Sequence, residues 1–200
     1  DSHSDYLYAH SLGVSLFSVM IAKSLKWTSS VTLFKLSAGG LFHDIGKIYE
    51  LNADLGVTRT RSGYLLGHIA QGTMLVNSYM DKVNGFPEEL RDKILHMILS
   101  HHGRLEYGSP VRPMFLEAVV LHYLDNLSSK LNIMIGIVKQ PQNGSMVTDF
   151  NRLMETRIYL GDNSEVQTMP QKKDSKKVEK KKTEPKESKD DDSRNLQIPF

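Results

Sequence analysis

The chain has 200 residues, 40% of them hydrophobic, with 25 Lys/Arg against 23 Asp/Glu and no cysteine. That length and hydrophobic share suit one globular domain with its own core, or one domain and a tail, and the lack of cysteine excludes disulfides and thiolate metal sites. No apolar run approaches the roughly 20 residues that span a bilayer, and no signal-peptide pattern opens the chain, so a cytoplasmic protein without membrane contact is expected.

The pattern is helical from the start. In "YLYAHSLGVSLFSVMIAKSL" His10, Gly13, Val14, Phe17 and Ile21 recur at helical spacing and predict one inward face that includes His10. Residues 31–48 read as a second helix, with Leu36, Gly40, His43 and Lys47 on one face, and the doublet His43-Asp44 interrupts its apolar run "GGLFHDIGKIY". "LLGHIAQGTMLVNSYM" predicts a third helix carrying His68, Gly72, Leu75 and Met80. "GFPEELRDKILHMILSHHG" has the clearest signals: Pro87 at the first turn, Glu88 and Glu89 matching the helix dipole, and Gly103 at the close. Its inward stripe is Ile94, Ile98 and His101, with His102 one step round. After the loop "HGRLEYGSPVRP", the segment "PMFLEAVVLHYLDNLSSKLNIM" aligns Ala118, Leu121, His122, Asp125 and Ser128, and "TDFNRLMETRIYL" suggests a shorter last helix.

From about residue 166 the composition changes to Lys, Glu, Asp and Ser with almost no aliphatic or aromatic residues, which predicts a disordered tail over 166–200 behind a domain over 1–165. Residues 171–194 hold 10 Lys/Arg and 7 Asp/Glu, leaving 15 against 16 elsewhere. The folded part is therefore not basic, and the overall net charge of +2 carries no argument for nucleic-acid affinity.

Five histidines (His10, His43, His68, His101, His102) and two aspartates (Asp44, Asp125) fall on or beside inward faces. One such residue is ordinarily a hydrogen-bonded core residue. Seven together would cost several kcal/mol each without a compensating centre, and a divalent cation supplies that centre. Imidazole and carboxylate without thiolate suit Mn, Fe, Co, Ni or Zn, and seven donors suit two ions bridged by a carboxylate, with Asp44 the candidate. Such a pair is suited to phosphoester hydrolysis by a metal-bound hydroxide. Lys47, one turn after His43, is the candidate to reach a phosphate or the nucleophile. Arg104 and Arg112 are candidate phosphate grips, Tyr107 could stack on a base, and His122 either holds Asp125 or belongs to the core.

The order H…HD…H…HH…D resembles the HD-domain superfamily of metal-dependent phosphohydrolases, an all-α helical bundle. "LLGHI", "LSHHGRLEYGSPVRPMFLEAVVLHYLDNLSSKLN" and "TDFNRLMETRIYL" are similar to the HD domain of YhaM-type 3′-to-5′ exoribonucleases over residues 6–160. The resemblance implies His10, His43, Asp44, His68, His101, His102 and Asp125 as ligands of two divalent ions, manganese by preference. It also implies catalysis by Asp44 and Lys47 on a single-stranded RNA or DNA substrate gripped by Arg112 and Arg104. That family carries an oligonucleotide-binding β-barrel ahead of the helical domain, and nothing like it precedes His10 within this sequence. A phosphohydrolase of free nucleotides or cyclic dinucleotides is the alternative, and a homo-oligomer stays open.

Overall fold

The computed structural model describes residues 2–52, 57–140 and 145–161. The described residues are predominantly helical: α1 (Ser2–Ser24), α2 (Ser30–Phe42), α3 (Lys47–Glu50), α4 (Arg61–Met80), α5 (Glu88–Ser100) and α6 (Leu116–Val138). A two-strand antiparallel pair, β1 (Leu51–Asn52) with β2 (Thr58–Arg59), aligns Leu51 with Arg59 between α3 and α4. One 3-10 turn, Leu105–Tyr107, lies between α5 and α6. The tail expected over 166–200 lies outside the described residues, and among these no helix is long and apolar enough to cross a membrane.

Helix α2 is the central element because it is apolar on two faces. Leu36 packs with Val14, Ala22, Met97, Ala118 and Leu121, drawn from α1, α5 and α6. Ala38 packs instead with Val76, Met80, Ile94 and Ile98 from α4 and α5. Each fully buried Leu, Ile or Met in these clusters contributes about 1.5–3 kcal/mol relative to an exposed position. A buried ion pair, Lys35 Nζ to Glu117 Oε1 at 2.5 Å, pins α2 to α6. His43 and Asp125 each lie eight residues beyond their pinned partner, about 12 Å along the helix. The two helices therefore run in the same direction from the pin towards the site.

Helix α1 corrects the sequence expectation. Its buried stripe is His10, Ser11, Val14, Ser15, Ser18 and Ala22, while Phe17 is 58% exposed and Ile21 faces partly outward. The reason is close approach: a side chain on Gly40 of α2 would meet the Ser15 backbone at 2.6 Å, so only small residues fit at the contact. The Ser15 hydroxyl is satisfied there by donating to the Ser37 carbonyl. Apolar spacing selected Phe17, but the available space selects the serines.

The expected helix over 31–48 also breaks. It stops at Phe42, and i→i+3 bonds from Ile45 to Phe42 O and from Lys47 to Asp44 O carry the chain round a tight turn into α3. Gly46 is the cause, because it lies so close to α4 that a Cβ would come within 2.0 Å of the His68 carbonyl. Helix α4 starts on a Thr60 cap whose side chain accepts from Gly63 N, and it kinks at Gly67 (φ 69°) just ahead of His68. Finally, the helix expected in 148–160 is an extended pair of segments, bridged Val147 to Tyr159 and Asn151 to Thr156. The Asn151 side chain accepts from Leu153 N and Met154 N and makes a turn, and Ile158 and Leu160 alternate inward on a period of two.

Candidate metal centre

Five separate stretches of chain bring the seven singled-out side chains to one place. His10 comes from α1, His43 and Asp44 from the turn after α2, His68 from just past the α4 kink, His101 and His102 from the end of α5, and Asp125 from α6. His10, His43, Asp44, His101 and Asp125 are buried, while His68 and His102 are half-buried.

The donors sort into two clusters: His10, His43 and Asp44, and His68, His101 and His102. Asp44 lies between them. Its Oδ2 is 3.5 Å from His43 Nε2 and 3.8 Å from His10 Nε2, and its Oδ1 is 3.5 Å from His68 Nε2 and 3.7 Å from His101 Nε2. Asp125 joins the first cluster, with Oδ1 3.1 Å from His10 Nε2 and 3.5 Å from His43 Nε2.

What lies behind each ring orients it. Nδ1 of His43 donates to Gly40 O at 2.9 Å, that of His101 to Ile98 O at 2.6 Å, and that of His102 to Tyr107 O at 2.6 Å. Nδ1 of His68 lies 3.0 Å from Glu50 Oε2, and that of His10 is 3.0 Å from the Ser128 hydroxyl. Carbonyls and carboxylates only accept, so Nδ1 carries the proton and a neutral ring turns its Nε2 lone pair inward. His10 differs, because its Nδ1 faces a hydroxyl that can donate while its Nε2 donates to Asp125 Oδ1 at 3.1 Å and lies 3.3 Å from His43 Nε2. Nε2 of His68 and of His101 are buried with no hydrogen-bond partner. Orphaned inward lone pairs on backed imidazoles are the donor set a divalent cation requires, so these residues fit one.

The electrostatics differ between the clusters. Burial disfavours a charged His43, but its hydrogen bonds to Asp125 and Asp44 outweigh that and push it up to about 10. Burial likewise opposes charge on Asp44 and Asp125, yet His43 beside Asp44, and His10 and His43 beside Asp125, hold both carboxyls well below the ordinary range. His101 is lowered well below the usual histidine value by burial and by the positive His43 nearby, and burial lowers His68 as well. His68 and His101 are thus held neutral.

Of the remaining candidates, Lys47 donates to Asp44 Oδ2 at 2.6 Å, so it touches the centre directly. Arg104 and Arg112 do not join the clusters. They are exposed and line a cleft with Tyr107, Tyr123, Asn126 and Lys130. His122 does not hold Asp125; its Nδ1 donates to the His101 carbonyl and so braces the loop. Sequence reasoning missed Glu50, which is 4% exposed, stands behind His68 and lies 3.5 Å from Arg59. The available signal was a single acid between apolar neighbours in "IYEL". It missed Lys130 too, two turns beyond His122 on the face of α6 that lines the cleft.

A family model described as HD domain matches residues 7–130. No solved structure matches the chain.

Proposed function

The chain belongs to the HD-domain family, whose members are metal-dependent phosphohydrolases, and we propose that it is a phosphodiesterase removing nucleotides from the 3′ end of single-stranded RNA or DNA. The observation that carries this reading is one carboxylate, Asp44, shared between two histidine clusters that adjoin, through the His102–Tyr107 loop, a cleft holding Arg104, Arg112 and Lys130. When bound, a pair of divalent ions supplies the Lewis acidity that phosphodiester hydrolysis needs. His10, His43, Asp44 and Asp125 would hold one, and His68, His101 and His102, with the other oxygen of Asp44, the second. Manganese is our choice within the range that imidazole and carboxylate donors admit.

The protein side of the reaction is positioning and charge neutralisation. Lys47 keeps an ammonium against Asp44, within reach of a phosphate oxygen entering beside it. Arg104, Arg112 and Lys130 neutralise backbone phosphates upstream of the scissile bond, and Tyr107 and Tyr123 offer faces on which bases stack without sequence preference. The similarity of the "SHHG" to "LHYLD" region to YhaM-type enzymes supports the same substrate. A hydrolase of free nucleotides or cyclic dinucleotides is the second reading. It is favoured by a cavity next to Asp44 that is large enough for a single nucleoside.

Incubation of the manganese-loaded full chain with 5′-labelled single-stranded RNA and DNA, alongside nucleotide and cyclic dinucleotide panels, tests the choice. The expected result is a ladder shortening from the 3′ end with release of nucleoside 5′-monophosphates. Intact oligonucleotides with hydrolysed nucleotides or cyclic dinucleotides would overturn it.

A further inference from the structure

The cavity beside Asp44 has a volume of about 500 Å³ and walls that differ from the rest of the centre. Leu7 and Tyr8 of α1, Leu41 and Phe42 of α2 and Ile48 of α3 make it almost wholly apolar, and the charged groups that line it are Asp44 and Lys47. It shares no lining residue with the Arg104/Arg112/Lys130 cleft. An apolar pocket thus opens beside Asp44, and a cationic cleft that none of the seven donors lines adjoins the centre at the loop that follows His101 and His102.

Different parts of a nucleotide chain match these two environments. A phosphodiester backbone is a row of anions and is stabilised by guanidinium and ammonium groups. A nucleobase is a flat, weakly polar ring whose faces gain most from apolar and aromatic contact. The pocket lies within the range of small-molecule sites, roughly 300–1,000 Å³, and its one ammonium, on Lys47, lies against Asp44 at the end where a phosphate would meet the ions.

We propose that the pocket lined by Leu7, Tyr8, Leu41, Phe42 and Ile48 is the subsite for the nucleoside being released, with its 5′-phosphate at Lys47 and Asp44. The rest of the strand leaves the centre along Arg104, Arg112 and Lys130. This rests on the exonuclease reading above and deepens it, because a pocket that takes one nucleoside limits each cut to one residue. The pocket walls offer few hydrogen-bonding groups, the hydroxyls of Ser11 and Tyr8 among them. Recognition is therefore by contact with the ring face, and all four bases are accepted.

Calorimetric binding of adenosine 5′-monophosphate and of ribose 5-phosphate to the manganese-loaded full chain tests the subsite without relying on turnover. Wild type is expected to bind the nucleotide about tenfold or more tightly than the sugar phosphate, as ring-face contact provides. Leu41→Gln and Ile48→Gln change partly exposed residues, at 37% and 56%. They are expected to remove that preference while leaving ribose 5-phosphate binding and metal content as in wild type. Equal binding of the two probes by wild type, or a preference that survives both substitutions, overturns the proposal. The two readings fail separately. An intact preference with no shortening of oligonucleotides leaves the pocket and removes the exonuclease, whereas oligonucleotide shortening without a preference does the reverse.

Discussion

The two halves of the centre are built on opposite principles. The half made by His10, His43, Asp44 and Asp125 is deeply buried and rich in carboxylate, so without a cation it holds a proton on His43, pushed up to about 10. The half made by His68, His101 and His102 is rich in imidazole and half-buried at His68 and His102, and its His68 and His101 are held neutral, with two Nε2 atoms lacking a hydrogen-bond partner. A buried carboxylate pair must be balanced by something positive at all times, whereas neutral imidazoles can wait empty at modest cost. The difference teaches that Asp44 is the one residue neither half can lose.

The strongest way to break this comparison is Asp44→Ala. Metal content is expected to fall in both halves, and hydrolysis to drop about 10³-fold or more, the loss of several kcal/mol of charge stabilisation. Metal analysis with the oligonucleotide assay checks this; loss of only one ion would mean that the halves do not share the carboxylate. A second test loosens the first half alone. Lys35→Met leaves Glu117 buried without its partner and is expected to cost about 3–5 kcal/mol in urea denaturation, while Lys35→Met with Glu117→Leu recovers most of it. Because the pair sets the spacing of α2 and α6, any weakening of metal binding in the double variant should fall on the His43/Asp125 half.

Glu50→Gln addresses the other half. Gln keeps the shape but removes the charge behind His68, and a loss of about 10–100-fold in affinity is expected for one of two metal-binding events, the other being unchanged. Calorimetric titration reads the two events separately, and equal weakening of both would blur the distinction between halves. The smallest effect separates the structural pin from the metal chemistry. Burial would raise the Glu117 carboxyl, but the hydrogen bond from Lys35 outweighs it and holds the group below its ordinary value of 4.5. A depressed carboxyl stabilises the fold above its unfolded pKa and loses that contribution as pH falls through the folded one. The stability gap between metal-free wild type and the Lys35/Glu117 double variant should therefore narrow as pH drops below about 4.5. A gap that stayed constant would count against the ion pair as its source.

What was legible in the sequence was whatever depends on local period and residue type. Helices α5 and α6, the inward stripe Ile94, Ile98 and His101, and the alignment of Leu121 with Asp125 follow from 3.6-residue spacing and end signals that act within a few turns. The seven His and Asp side chains that the structure gathers were singled out because buried titratable groups are costly wherever they occur. The interior of α1 was not legible, because Phe17 and Ile21 satisfy the same spacing as Ser15 and Ser18, and only the nearness of Ser15 to Gly40 decides between them. Nor was the break at His43-Asp44, which Gly46 requires in order to meet α4.

By itself, then, the sequence determined the helical class and singled out the candidate donors, since propensity, periodicity and ligand chemistry belong to single residues and their near neighbours. The tertiary structure alone decided that one oxygen of Asp44 faces each cluster, that Glu50 stands behind His68, and that an apolar pocket and a cationic cleft flank the same centre. Each of these is a distance between residues far apart in the chain, and such distances come from how the helices pack.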